Sequence, residues 1–270
     1  MEGVEYFLKG YEIFMKYKTF ILTSITLIAI LITLFMKPIP QDLRYHEFAD
    51  KRTIFGIANA FNFLSNFPFL IIGLFGIGFI GLSLKQNPGD YVLIHYLVFF
   101  IGIFLVGIGS SYYHLVPSNN TLVWDRLPMS IAFMAFFCLV VSELIHRRSG
   151  SILLVPLLII GMGSVFYWDW TEKQGIGDLR WYALVQFLPM ILVPLILFMY
   201  QCPGKILRNI IALMVFYVIS KIFEFLDVEV YELGRIMSGH TLKHLFAAAG
   251  TYFVLRMAYI QKKKLANECI

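Results

Sequence analysis

The stretch GHTLKHLFAAAG, beginning at Gly239, places His240 and His244 four residues apart at the head of an apolar run. On a helix, that spacing puts both imidazoles on one face. A second polar pair with the same spacing, Ser110 and His114, lies in GIGSSYYHLVPSNNTLVWDRLPM, and Asp125 follows His114 by eleven residues. Three neutral imidazoles that leave one position open form the ligand set of a catalytic zinc. Zinc in such a set brings the pKa of water towards about 7 and polarises a carbonyl oxygen. A carboxylate such as Asp125 can then act as general base, and a hydroxyl such as Ser110 can donate to an oxyanion. The competing reading is structural: polar side chains that hold helices together by hydrogen bonds. The spacing of two histidines alone does not decide between the two.

The elements that must position these residues are membrane helices. The chain has 270 residues, of which 59% are hydrophobic and 14% charged; soluble domains average about a quarter charged. Long apolar runs recur from end to end and do not alternate, which points to an all-α polytopic bundle and argues against a membrane β-barrel. Eight spans are predicted, at 19–36, 65–84, 91–114, 125–145, 151–168, 181–200, 206–226 and 239–260. The first follows Lys16 and Lys18 and resembles a signal peptide, but no small-residue cleavage pattern comes after it, so it is expected to stay. Lysine and arginine are in excess on the side that holds both termini, which predicts cytoplasmic termini.

Span parity then brings the candidates together. The end of the third span, the start of the fourth and the start of the eighth fall on one side of the membrane, whichever way the chain is inserted. His114, Asp125, Ser110, His240 and His244 are therefore expected at one depth. An ionisable group at such a depth is costly and marks a functional hypothesis.

These residues resemble the alkaline ceramidase family, part of a superfamily of seven-helix membrane hydrolases that includes adiponectin-receptor-like proteins. The resemblance lies in Ser-x-x-x-His, an aspartate eleven residues on, and a late His-x-x-x-His. DRLPM (Asp125 to Met129) is similar to the family's DELPM, and NFLSN (Asn62 to Asn66) to its NTxSN. It spans about 50–260. The resemblance implies a seven-helix core with Zn2+ on His114, His240 and His244. Asp125 would act on the water and Ser110 would hold the carbonyl or oxyanion. The implied reaction cleaves the amide of a ceramide-like lipid to a sphingoid base and a fatty acid. A hydrolase of another lipid ester or amide, or a zinc-containing seven-helix lipid receptor, remain alternatives.

Three further departures from the family matter. An extra span precedes the core, so residues 1–44 are read as anchor and linker, 45–262 as the ceramidase-like domain and 263–270 as a basic cytoplasmic tail. Phe63 replaces a threonine in NFLSN, whose remaining Asn62, Ser65 and Asn66 are expected to tie helices together. The acidic calcium cluster of eukaryotic members is replaced by HEFADKRTIFGIAN, with only Glu47 and Asp50 acidic, so calcium is not expected.

Other features receive plainer expectations. His95 should make an interhelical hydrogen bond, and His46 and His146 should be solvated in loops. Lys221 and Glu224 should pair at i,i+3, and Lys243 should snorkel to the surface, with attraction of a carboxylate product as the alternative. The aromatic segment 167–182 reads as an interfacial belt and a candidate lid, with Tyr112, Tyr113 and Trp124 flanking the site. Cys138, Cys202 and Cys269 have no ligand or pairing spacing. No basic patch is interleaved with aromatics, so membrane lipids rather than nucleic acid are the expected partners.

Overall fold

The computed structural model describes the backbone of residues 2–268 and the side chains of 16–263. Cys269 and the tail side chains beyond Lys263 lie outside these. The chain is helical: α1 (Glu2–Phe35), α2 (Ala60–Leu64), α3 (Phe67–Gln86), α4 (Tyr91–Leu115), α5 (Asn119–Leu144), α6 (Arg147–Lys173), α7 (Arg180–Met199), α8 (Gly204–Phe225), α9 (Asp227–Gly234) and α10 (Gly239–Glu268). One 3-10 turn, Leu43–His46, interrupts the linker between α1 and α2.

Each predicted span coincides with a long helix, and the fifth, predicted at 151–168, lies within the 27 residues of α6. Seven helical stretches, with α2 and α3 counted as one, are long and apolar enough to cross a membrane. The long helix outside that set is α10, whose histidines, threonines and basic residues lower its mean hydropathy. It is nonetheless part of the bundle, packed chiefly on α8 and also on α3. The chain is a multi-pass membrane protein. Helix α5 is central, packed on α4, α6 and α7, whereas α1 rests mainly on α7 with 6% of its apolar stretch buried.

Local sequence explains how the site-bearing ends are set. Pro117 follows α4, and Ser118 caps α5 in a capping box with Thr121, so a three-residue turn fixes the α4–α5 hairpin. Within α5, Pro128 has no N–H, which leaves the Trp124 carbonyl without its helical partner. Gly109 of α4 packs against that carbonyl: a Cβ there would stand 1.9 Å from it. The backbones of α4 and α5 thus touch beside Ser110 and Asp125. At the head of α10, a Cβ on Gly239 would stand 2.2 Å from the Phe223 carbonyl, so only glycine lets α10 begin against the end of α8.

Candidate metal and catalytic site

Two buried helix ends supply the three histidines. His114 comes from the last turn of α4, and His240 and His244 from the first turns of α10. Their ring centroids form a triangle with sides of 4.9 Å. One nitrogen from each ring can be chosen so that all lie within 4.8 Å of one another, a group able to hold a metal ion. Tetrahedral zinc bonds imidazole nitrogen at about 2.0–2.1 Å, which sets ligand nitrogens about 3.3 Å apart. The Nε2 atoms of His114 and His244 are 3.3 Å apart. His240 Nε2 is buried without a hydrogen-bond partner, and the His114 and His244 Nε2 atoms meet only each other. A protein rarely leaves buried nitrogens unsatisfied, so the donor set fits a metal better than it fits helix-packing contacts.

The neighbours hold these rings in place. The Ser65 hydroxyl meets His244 Nδ1 at 2.8 Å, leaving Nε2 to face the triangle. Asn59 Nδ2 donates to the His114 carbonyl at 2.9 Å. Asp227 accepts the His240 backbone N–H at 2.7 Å and the Ala49 N–H at 2.9 Å, tying the linker to the head of α10. Thr241 Oγ1 donates to Asn62 Oδ1 at 2.7 Å across the α2–α10 contact. The ring of Phe48, itself 4% exposed, packs 4.7 Å from that of His114 and 4.5 Å from that of His240.

Asp125 and Ser110 are buried, with the Ser110 side chain beside the Asp125 carboxyl group. Both line a cavity of about 320 Å3 that also reaches His244. His114 and His240 stand behind that wall. The structure therefore brings all five sequence-derived candidates to one end of the bundle. The arrangement can bind a metal ion, offer a carboxylate and a hydroxyl beside it, and seat an apolar chain in the adjoining cavity.

A family model described as Ceramidase matches residues 52–268. The chain belongs to the ceramidase family. The matched region holds all five candidates, while α1, Tyr45 and Phe48 precede it. Membership of the ceramidase family implies a hydrolase of amide bonds with a ceramide-like lipid as substrate. No curated protein and no solved structure matches the chain.

Several single-residue expectations change. Lys243 does not snorkel: its side chain is 14% exposed and donates to Glu224 at 2.6 Å, because α8 places a carboxylate beside it. Lys221 pairs with the same carboxylate at 2.5 Å, as its spacing predicts. His46 is half-buried rather than solvated, bonded to Tyr113 Oη and Asn119 Oδ1 at 2.9 Å each. His146 is exposed and caps α6. Tyr112 and Trp124 are about half exposed and lie outside the cavity lining, whereas Leu179 and Tyr182 from the aromatic segment line it. Near them, hydrogen bonds from the Arg180 guanidinium hold the Asp178 carboxyl below the usual range.

The contributions that sequence reading missed are those of Phe48, Tyr45 and Asp227. The role of Ser65 is more specific than tying helices together. Only NFLSN carried a signal for Ser65. Phe48, Tyr45 and Asp227 had none, because their contacts join segments far apart in the chain.

Proposed function

We propose that the protein is a zinc-dependent amidase that cleaves the amide of ceramide or a related N-acyl lipid within the membrane, yielding a sphingoid base and a fatty acid. The observation that carries this reading is the triangle of buried histidines beside Asp125 and Ser110, at the wall of a cavity lined mostly by apolar side chains such as Phe99, Ile103 and Phe136. Three imidazole donors suit zinc and disfavour calcium or magnesium, which take oxygen ligands.

Zinc held by His114, His240 and His244 would supply Lewis acidity for the amide carbonyl and lower the pKa of water. Asp125 would take a proton from the attacking water and return it to the leaving amine nitrogen as the C–N bond breaks. The Ser110 hydroxyl would donate to the carbonyl oxygen as it gains charge. Ser65 would keep His244 in the tautomer that presents Nε2. Pockets of about 300 Å3 and above hold lipid-sized or drug-sized ligands, and this cavity would seat the acyl chain.

On this reading, residues 45–262 form the catalytic bundle, 1–44 an anchor and linker, and 263–270 a basic tail. The lysine and arginine bias puts both termini in the cytoplasm and the histidines towards the outer leaflet. Calcium is not part of the proposal: Glu47 pairs with Lys51 and Asp50 with Arg52.

The test is direct. Wild type and His240→Ala, purified in mild detergent, are incubated with a mixed ceramide panel, and free sphingoid bases are followed by mass spectrometry. Release by wild type alone is the expected result. No release from any ceramide by protein that retains stoichiometric zinc would overturn the ceramide assignment.

A further inference from the structure

The cavity beside the histidines is apolar over most of its wall and charged at one place. There it is lined by Asp125, Arg126, Lys221, Glu224 and Lys243. Glu224 is shared: it accepts from Lys221 at 2.5 Å, from Lys243 at 2.6 Å and from the Tyr45 hydroxyl at 3.2 Å. One carboxylate therefore answers two ammonium groups.

Arg126 is the charge without an answer. It is 6% exposed, and none of the ion pairs among the described residues includes it. One guanidinium nitrogen donates to the neutral side-chain oxygen of Gln41 at 2.6 Å, and its Nη1 is buried with no partner. The guanidinium instead lies over the rings of Trp168 at 4.2 Å and Tyr182 at 5.0 Å. Aromatic faces hold a cation in place without neutralising it.

The wall thus carries three cations against two carboxylates, one of them Asp125. An ion taken out of water without a counter-charge is costly, and an excess positive charge in an apolar cavity is complementary to one anionic group. A neutral diol head group needs only hydroxyl partners and would leave that charge unanswered.

We infer that the cavity is built for an N-acyl lipid whose amine half carries one anionic group, a carboxylate or a phosphate, received by Lys243, Lys221 and Arg126. The inference rests on the amidase reading for what happens to the bound lipid, but not for the binding itself. Lys243 and His244 line the same cavity, so head-group recognition and amide cleavage share one site. The fatty-acid product also ends in a carboxylate, and the experiment separates that source from the substrate head group.

The test is a binding measurement on the full-length His240→Ala protein in neutral detergent, where turnover cannot interfere. Three probes share one acyl chain: N-palmitoylglycine, N-palmitoylethanolamine and palmitate. N-Palmitoylglycine is expected to bind about tenfold or more tighter than the neutral amide, a difference of about 1.4 kcal/mol. Added salt should shrink the gap. Arg126→Gln and Lys243→Met, each in the same background, should lower the affinity for N-palmitoylglycine and leave that for N-palmitoylethanolamine in place. Arg126→Lys should restore part of the preference. The neutral probe is the internal control for folding. Equal binding of the charged and neutral amides would overturn the inference, and so would tight binding of palmitate without any preference between the amides, which would assign the charge to the product. Absence of ceramide hydrolysis, by contrast, would strike the amidase reading and leave the binding preference standing.

Discussion

His95 and His114 sit on one helix, nineteen residues apart, and neither is exposed to solvent. At 1.5 Å per residue, they are separated by about 28 Å, close to the full thickness of a bilayer core. Near the start of α4, His95 spends one nitrogen on the Tyr91 carbonyl at 2.8 Å and the other on Ser142 Oγ at 3.3 Å. Near the other end, His114 meets only His244 through its ring nitrogens and leaves Nδ1 with no partner. Burial and residue type are the same; the partners differ. A buried histidine with both nitrogens answered is a strut between helices, whereas a cluster with unanswered nitrogens calls for something the polypeptide does not provide.

The largest effect should come from removing a corner of the triangle. His114→Ala is expected to bring bound zinc to background and amide cleavage below detection, while His95→Ala keeps both. Metal analysis of the purified variants, alongside the ceramide assay, reads the difference. If His114→Ala retained stoichiometric zinc, the two ends of α4 would not differ in the way proposed.

Next comes Asp125→Asn, which keeps the size and burial of the side chain but not its basicity. General acid–base catalysis contributes about 10^2–10^4-fold, and a kcat loss in that range is expected with zinc content unchanged. Loss of metal together with activity would make Asp125 part of the metal's support and remove it from proton transfer.

How far the chain could be read without a structure follows the same contrast. Apolar runs and turn residues such as Pro117 are local signals, and all eight spans fell on long helices. Parity carried the five candidates to one end because it needs only the order and number of spans. What stayed hidden depends on long-range neighbours. Lys243 reads as a surface lysine until α8 sets Glu224 beside it. Phe48 is one more aromatic in a chain with 26 phenylalanines until the linker folds it over two histidines. His46 looks solvated because nothing nearby in sequence announces Tyr113 and Asn119. Arg126 is the intermediate case. An arginine beside Asp125, where the resembled family has glutamate, was visible in DRLPM, but its missing counter-ion was not.

A smaller effect is expected at Ser65, which touches the triangle only through His244. Removing the partner of a metal-bound histidine costs about 10–100-fold in metal affinity. Ser65→Ala should therefore show that loss in a competition titration with a chelator, with little change in kcat once zinc is saturating. An unchanged affinity would return Ser65 to the helix-tying role its motif suggests.

The smallest effect belongs to the strut. His95→Leu keeps most of the volume and gives up the contact with Ser142 across the α4–α5 interface. Side-chain hydrogen bonds between membrane helices are worth about 0.6 kcal/mol on average and up to about 1.7 kcal/mol. The unfolded chain in lipid also finds partners, so part of the loss is offset. The expected outcome is a small drop in stability in detergent, with zinc content and the ceramide rate unchanged. Thermal unfolding and the amidase assay on one preparation measure both. If His95→Leu lowered zinc occupancy while the helices stayed folded, coupling along α4 would join its two ends, and partner accounting alone would not explain why one histidine is a strut and the other a ligand.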